Sequence, residues 1–338
     1  MKPPSFKLSQ EGRAIDQKLA SKELDPLTVF REHMAAGTAS QEISRVCLMT
    51  FYESLRHLNY KQRTESIKEH SVGALTLQWL WQSDKRWVAL LSSDLKFLNV
   101  LCYLLEVEGY GDFVMDWIRA EVEQAAREHF KENEKVGHAW RGWLFRGLIA
   151  AKLHLGLSDG DASPALQAFF QVVREKENAS PDVPFADMSL WPAQTELVRQ
   201  LTLPSDQSTS RYPKTDGALY LRFINGLSSY SHSRIQSDYK AATLWLCHPQ
   251  EPEPDYMYTH IQREFAADGL KGMSEKASSD ESWRSNVSSS LIMTIGLLQE
   301  RGRPTDAEWV LWCRKKILGD QLVRRPRPTK HELSKRRA

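Results

Sequence analysis

Apolar residues recur at three- and four-residue intervals through almost the whole chain, which is the spacing of one face of an α-helix. One such stripe runs from Ile43 to Leu58, and another runs from Val114 to Phe130. Between residues 94 and 108 the apolar positions cover nearly the whole circumference of a helix, which indicates that this helix is buried on all sides. Alternation with a period of two, the mark of β-strands, is essentially absent. The pattern therefore predicts an all-α protein.

Glycines divide these stripes into pairs of helices joined by short loops. Gly109 separates the first pair, Gly156 lies at the turn of the second, and Gly302 separates the third. Helical hairpins bury their apolar faces by stacking on their neighbours. The predicted fold class is therefore all-α, with stacked antiparallel helical hairpins in an irregular, α-solenoid-like arrangement.

Polar residues in front of the stripes are expected to cap the helices. Ser93 is placed to cap the helix at 94–108, and Asp238 is placed to cap a helix that begins at Tyr239. Ser278 and Glu281 have the spacing of a capping box at the start of the third hairpin.

Proline content and charge divide the chain into four regions. Residues 1–176 form an N-terminal helical-hairpin region, and 217–322 form a C-terminal one. Between them, residues 177–216 contain five prolines, which predicts a linker or a long loop. Residues 323–338 are rich in proline and arginine and are predicted to be a disordered basic tail.

The tail holds the only concentrated positive charge in the chain, because the remaining residues carry a small net negative charge. Basic clusters of this kind bind nucleic acid or import receptors without a fold of their own, or serve only as a solubilising terminus. The candidate contacts are the seven basic side chains of the tail: Arg324, Arg325, Arg327, Lys330, Lys335, Arg336 and Arg337. Removing the residues after Leu322 is expected to weaken such binding and to leave the helical content unchanged.

Composition limits the compartment and the class of protein. The four cysteines are far apart in sequence, so they form neither a zinc motif nor a redox motif and indicate a reducing compartment. The N-terminus does not resemble a secretory signal, and the longest apolar runs are too short to cross a bilayer. We expect an intracellular protein, cytoplasmic or mitochondrial and not secreted.

Two groups of residues resemble catalytic motifs and are interpreted as structural. Asp112 and Asp116 lie one helical turn apart, like the paired carboxylates of metal-dependent isoprenoid enzymes, but the fuller acidic motif is missing. Cys247 and His248 are a nucleophile and a base in adjacent positions, which rarely form a working pair. Phosphate-binding loops, dinucleotide-binding turns and kinase signatures are absent from the sequence. The sequence predicts no catalytic residue, no cofactor and no metal.

The first hairpin resembles a pentatricopeptide or tetratricopeptide repeat. Asn99 precedes the helix-ending Gly109 by ten residues, and Val114, Trp117 and Ile118 follow at the offsets of such a unit. The third hairpin is similar, with Ile292 at the position of the asparagine and an apolar stripe after Gly302 that comprises Ala307, Val310, Leu311 and Leu318. Together these matches cover about a third of the chain and show no regular period, so the resemblance is to a degenerate repeat.

The resemblance implies a helical-repeat protein that binds a macromolecule. In pentatricopeptide proteins the side chain that reads an RNA base lies at or beside the asparagine position, and the apolar Val100 and Ile292 oppose such reading here. The preferred hypothesis is a noncatalytic scaffold or adaptor that binds a protein partner through an extended groove. The alternatives are an organellar, mitochondrial RNA-binding or RNA-processing factor of pentatricopeptide type and an all-α enzyme without a recognisable motif.

Overall fold

A computed structural model of the protein describes residues 8–83, 94–119, 139–180, 184–203, 210–230 and 234–319. All regular secondary structure in these ranges is helical, and none of it is strand. The prediction of an all-α fold is therefore confirmed. The α-helices are α1 (Gln10–Ala20), α2 (Pro26–Ala35), α3 (Gln41–Ser54), α4 (Tyr60–His70), α5 (Val72–Gln82), α6 (Leu95–Val107), α7 (Gly111–Arg119), α8 (Ala139–Asp159), α9 (Ser163–Glu177), α10 (Trp191–Leu201), α11 (Gly217–Tyr230), α12 (Arg234–Leu246), α13 (Asp255–Asp268), α14 (Lys271–Ser279), α15 (Glu281–Glu300) and α16 (Pro304–Leu318).

The described residues form two compact units. The first unit comprises the residues up to 200 together with 214–219, and the second comprises 201–213 and the residues from 220 onwards. None of the described helices is both long and apolar enough to cross a membrane.

Helix α6 is the centre of the first unit and packs against α3, α4, α5, α7 and α8. Its apolar residues face all directions and are nearly all buried, as the sequence predicts. Helix α8 approaches it closely at Gly147, where a Cβ atom would lie 2.9 Å from the Cys102 Sγ atom. Beyond α8, Phe145 stacks on Phe169 of α9 with ring centroids 6.0 Å apart, which extends the same core.

Buried or half-buried carboxylates connect the helices of this unit. Glu108 accepts hydrogen bonds from the backbone N–H groups of Gly73 and Ala74, at 2.7 and 2.8 Å, and so caps the N-terminus of α5. Glu196 of α10 is almost fully buried and accepts hydrogen bonds from the guanidinium groups of Arg146, at 3.0 Å, and Arg199. These contacts satisfy polar groups that would otherwise be costly to bury.

The proline-rich stretch 177–216 contains regular structure. It includes a 3-10 helix at Pro184–Asp187 and the helix α10. Pro192 is the second residue of α10, where a missing N–H group costs no helical hydrogen bond. The many prolines of this stretch therefore predict a loop where the structure has a helix.

The helix starts differ in detail from the predicted caps. Asp94 caps α6 through its carboxylate, which accepts from the Lys96 and Phe97 N–H groups, each at 3.1 Å, and Ser93 lies outside the described residues. The prediction of Ser278 as a cap is wrong, because Asp280 caps α15 by accepting from the Trp283 N–H at 3.0 Å. Asp238 lies inside α12, so its prediction as a cap is also wrong.

The second unit is built around α13 to α16. Helices α15 and α16 pack along their length and are joined at Gly302, whose φ of +72° lets the chain reverse direction. Helices α12 and α13 contribute Leu246, Met257 and Ile261 to the same buried cluster. One side of α13 packs against α16, and another side packs against α12.

Candidate functional site

A row of four aromatic side chains joins α13 to α16 on the surface of the second unit. Tyr258 and Phe265 lie seven residues apart on α13, and Trp309 and Trp312 lie three residues apart on α16, so each pair shares a face of its helix. We call these four residues the aromatic strip. Met257 and Ile261 of α13 are fully buried and hold the helix against the core.

The rings of the aromatic strip contact each other edge to face. Trp309 is in contact with Tyr258 at a centroid distance of 5.3 Å and with Phe265 at 6.1 Å, and Phe265 is in contact with Trp312 at 5.7 Å. The interplanar angles lie between 69° and 87°, which is the arrangement that the quadrupoles of aromatic rings favour. The strip is therefore a continuous and ordered aromatic surface.

At one end of the strip the charges are neutralised within the protein. The Arg303 guanidinium lies over the Tyr258 ring at 5.3 Å and forms ion pairs with Asp255 and Asp306, the latter at 2.7 Å. The Tyr258 hydroxyl donates to Asp306 at 2.9 Å. The hydrogen bonds from Arg303 and Tyr258 hold the pKa of the Asp306 carboxyl below its ordinary value. This end is a closed network of charges.

The other end of the strip carries a cation over exposed aromatic rings. The Lys316 ammonium lies 5.3 Å from the centroid of Phe265 and 5.0 Å from that of Trp312. Within the described parts of the chain this ammonium has no carboxylate partner. Phe265 is 38% exposed and Trp312 is 47% exposed, values that are high for large aromatic side chains. An exposed contiguous aromatic surface is typical of a binding surface.

The structure also locates the residues that the sequence analysis weighed as sites. The seven basic residues of the tail lie outside the described residues. Asp112 and Asp116 are both exposed on α7, and Asp116 pairs with Arg119 at 3.0 Å instead of facing a closed pocket. In the described residues no group of three or more histidine, cysteine, aspartate or glutamate side chains is arranged to hold a metal ion.

Cys247 and His248 are both buried and do not have the properties of a catalytic pair. Burial raises the pKa of the Cys247 thiol to about 12, so the thiolate is not formed near neutral pH. The His248 Nδ1 atom accepts a hydrogen bond from the Glu251 N–H at 3.0 Å, which occupies the lone pair that a base would use. Burial also lowers the pKa of His248. This arrangement matches the interpretation of a core cysteine beside a loop histidine.

Val100 and Ile292, the two residues that the resemblance places where an RNA base would be read, differ in their exposure to solvent. Val100 is buried in α6, where it cannot contact a nucleic acid. Ile292 is exposed on α15 and offers no polar group to a base.

The aromatic strip is not recognisable in the sequence. Leu311, predicted to belong to the apolar stripe of the last helix, is 38% exposed, so that prediction is wrong. The spacing of Trp309 and Trp312 was the available signal, but tryptophans at helical spacing usually belong to the core. Comparison of the chain with protein-family models, with curated proteins and with solved structures finds no match.

Proposed function

We propose that the protein is a noncatalytic helical-repeat scaffold that binds a segment of a protein partner on the aromatic strip. The observation that carries the proposal is the exposure of Phe265 and Trp312 beneath the Lys316 ammonium. Tryptophan is among the side chains that supply most of the binding energy in many protein interfaces, and phenylalanine is enriched in them. The antiparallel pairs of contacting helices support the degenerate pentatricopeptide or tetratricopeptide organisation as the frame of this scaffold.

The chemistry of the strip favours a partner segment with apolar side chains next to carboxylates. An apolar side chain of the partner covers the exposed faces of Phe265 and Trp312. A carboxylate of the partner pairs with Lys316, and the exposed Lys315 beside it adds to the attraction. Because Lys316 already lies against two rings, its side chain is partly ordered before binding, which reduces the entropic cost of the pair.

RNA is the alternative partner, and one feature of the chain favours it. Lys315 and Lys316 precede the basic tail in sequence, and aromatic rings with adjacent cations stack on the bases of single strands. The negative net charge of the rest of the chain opposes an extended contact with phosphates. The protein partner is therefore preferred, and the experiment below separates the two.

Photo-crosslinking in cells of the source organism tests the proposal. Benzoylphenylalanine is introduced at Leu311, which is exposed on α16, and, as a control, at Gln299, which is exposed near the end of α15. We expect discrete protein adducts from position 311 that ribonuclease treatment does not change and that position 299 does not give. The adducts are expected to disappear when Phe265 and Trp312 are both replaced by serine.

A second variant controls for loss of folding. Lys316→Glu leaves the rings in place, reverses the charge at an exposed position, and is expected to lower the crosslinking yield at least tenfold. Adducts that persist in both variants would remove the aromatic strip as the binding surface. Adducts that consist of RNA would show that the alternative partner is correct.

A further inference from the structure

A second surface of the same unit is a groove between α12 and α13. The two helices run antiparallel, because Trp245 near the end of α12 stacks on Tyr256 near the start of α13, with centroids 4.5 Å apart. Further from the connecting loop, Tyr239 contacts His260 at 5.7 Å. Tyr256, His260 and Arg263 line the groove and follow each other at helical spacing, so they share one face of α13. This face lies away from the one that carries the aromatic strip.

Small residues on α12 leave an open cavity in this groove. Ala241 and Ala242 face Thr259 and His260 across it, and the cavity has a volume of about 390 Å³. That volume is within the range of small-molecule sites in proteins, which is roughly 300 to 1,000 Å³. Most of the lining is apolar, so the cavity can accommodate an apolar group.

Two opposite charges line the cavity from opposite helices. Asp238 lies on α12 and Arg263 lies on α13, and the antiparallel register places both at the end that is distant from the loop. Neither side chain forms an ion pair with any described residue. The second carboxylate at the cavity, Asp255, is already paired with Arg303. The cavity therefore offers one free anion and one free cation on facing walls.

His260 is the most buried polar group of the cavity. Its side chain is only 8% exposed and lines the cavity. Burial lowers the pKa of His260, whereas the nearby Glu264 and Asp238 carboxylates raise it and Arg263 lowers it further. The neutral imidazole has one N–H donor and one acceptor nitrogen. A ligand in the cavity can therefore form a hydrogen bond with this ring.

We infer that this cavity binds a small zwitterion of the α-amino acid class. The ammonium group pairs with Asp238 and the carboxylate pairs with Arg263, while His260 forms a hydrogen bond to one of them. The apolar side chain lies against Ala241, Ala242 and the exposed ring of Tyr256. A single ligand in this orientation pairs with both charges and forms a hydrogen bond with the imidazole.

The same pair of charges can be presented by a free amino acid or by a peptide with an acidic and a basic side chain one helical turn apart. The two sources are compared by titrating the ¹⁵N-histidine-labelled full-length protein with L-leucine and with the peptide acetyl-Glu-Ala-Ala-Ala-Lys-amide. The ring nitrogen signals of His260, assigned with a His260→Asn variant, report occupancy of the cavity.

We expect L-leucine to shift the His260 signals in a saturable manner. N-acetyl-L-leucine lacks the ammonium and L-leucinamide lacks the carboxylate, so each is expected to bind at least tenfold more weakly. Asp238→Asn and Arg263→Gln replace exposed charged side chains by neutral polar ones and are each expected to weaken leucine binding at least tenfold. Trp312→Ser, on the other side of α13, serves as the control and is expected to leave it unchanged.

The outcomes distinguish the sources and overturn the inference if it is wrong. Saturation by the peptide with no response to L-leucine assigns the paired charges to a peptide. Equal binding of leucine and its two neutralised derivatives would exclude recognition of a zwitterion. Absence of any response to both probes at millimolar concentration would exclude a ligand of this class. None of these results depends on the aromatic strip, so they test this cavity separately from the proposed scaffold function.

Discussion

Replacing Leu101 by alanine is expected to lower the free energy of unfolding of the first unit by about 3 to 5 kcal/mol. Leu101 is fully buried at the centre of α6, which packs against five other helices of that unit. The loss of its methyl groups leaves a cavity that the tightly packed neighbours cannot fill, since α8 already lies close to α6 at Gly147. The measurement is urea denaturation followed by circular dichroism.

The matched control for this prediction is Leu24→Ala. Leu24 belongs to the same unit and is 40% exposed, so the same chemical change is expected to cost less than about 0.5 kcal/mol. If the two variants lose similar amounts of stability, α6 is not the centre of the core.

Replacing Glu196 by glutamine is expected to destabilise the first unit by about 1 to 3 kcal/mol at neutral pH. The Glu196 side chain is 2% exposed and receives the Arg146 and Arg199 guanidinium groups, which the variant leaves without a counter-charge. Burial raises the pKa of the Glu196 carboxyl, but the hydrogen bonds from Arg199 and Gln200 and the charge of Arg146 outweigh it, so the pKa lies below its ordinary value of 4.5. The ionised form is therefore favoured in the folded state.

The sign of this pKa shift sets the pH dependence. Because the folded-state pKa lies below that of the unfolded chain, the stabilisation by Glu196 is present above pH 4.5 and is lost as the pH falls through the folded-state value. The difference in stability between the native protein and Glu196→Gln is expected to shrink across that acidic range. Glu32→Gln, at an exposed position of α2, is the control and is expected to show no such change. A difference that stays constant down to acidic pH would show that the Glu196 charge is not responsible.

The sequence predicts the helical class and the centre of the fold for a simple physical reason. A helix such as α6 is apolar around its whole circumference, and a pattern of that kind has no stable position except inside the protein. Helix α10 could not be predicted in the same way, because Pro192 is a helix breaker in most positions and is compatible with a helix only in the first turn.

The candidate surfaces could not be predicted from the sequence because they depend on which face of a helix its neighbours leave uncovered. Leu311 and Trp312 are adjacent, and the apolar pattern does not show which faces of α16 are covered. The pattern predicted that Leu311 is buried, but both side chains are exposed and Trp312 contributes to the aromatic strip. The groove depends on Asp238 and Arg263, which are far apart in sequence and meet only because α12 and α13 are antiparallel. The basic tail remains a prediction from charge alone.

Hydrogen exchange of the full-length protein, alone and in complex with the partner recovered by crosslinking at position 311, tests the central claim most directly. If the aromatic strip is the binding surface, the partner slows amide exchange in α13 (Asp255–Asp268) and α16 (Pro304–Leu318) and leaves α6 unchanged. The same pattern is expected to be absent with Trp312→Ser. Protection confined to other helices, or protection by RNA and not by the protein partner, would contradict the account.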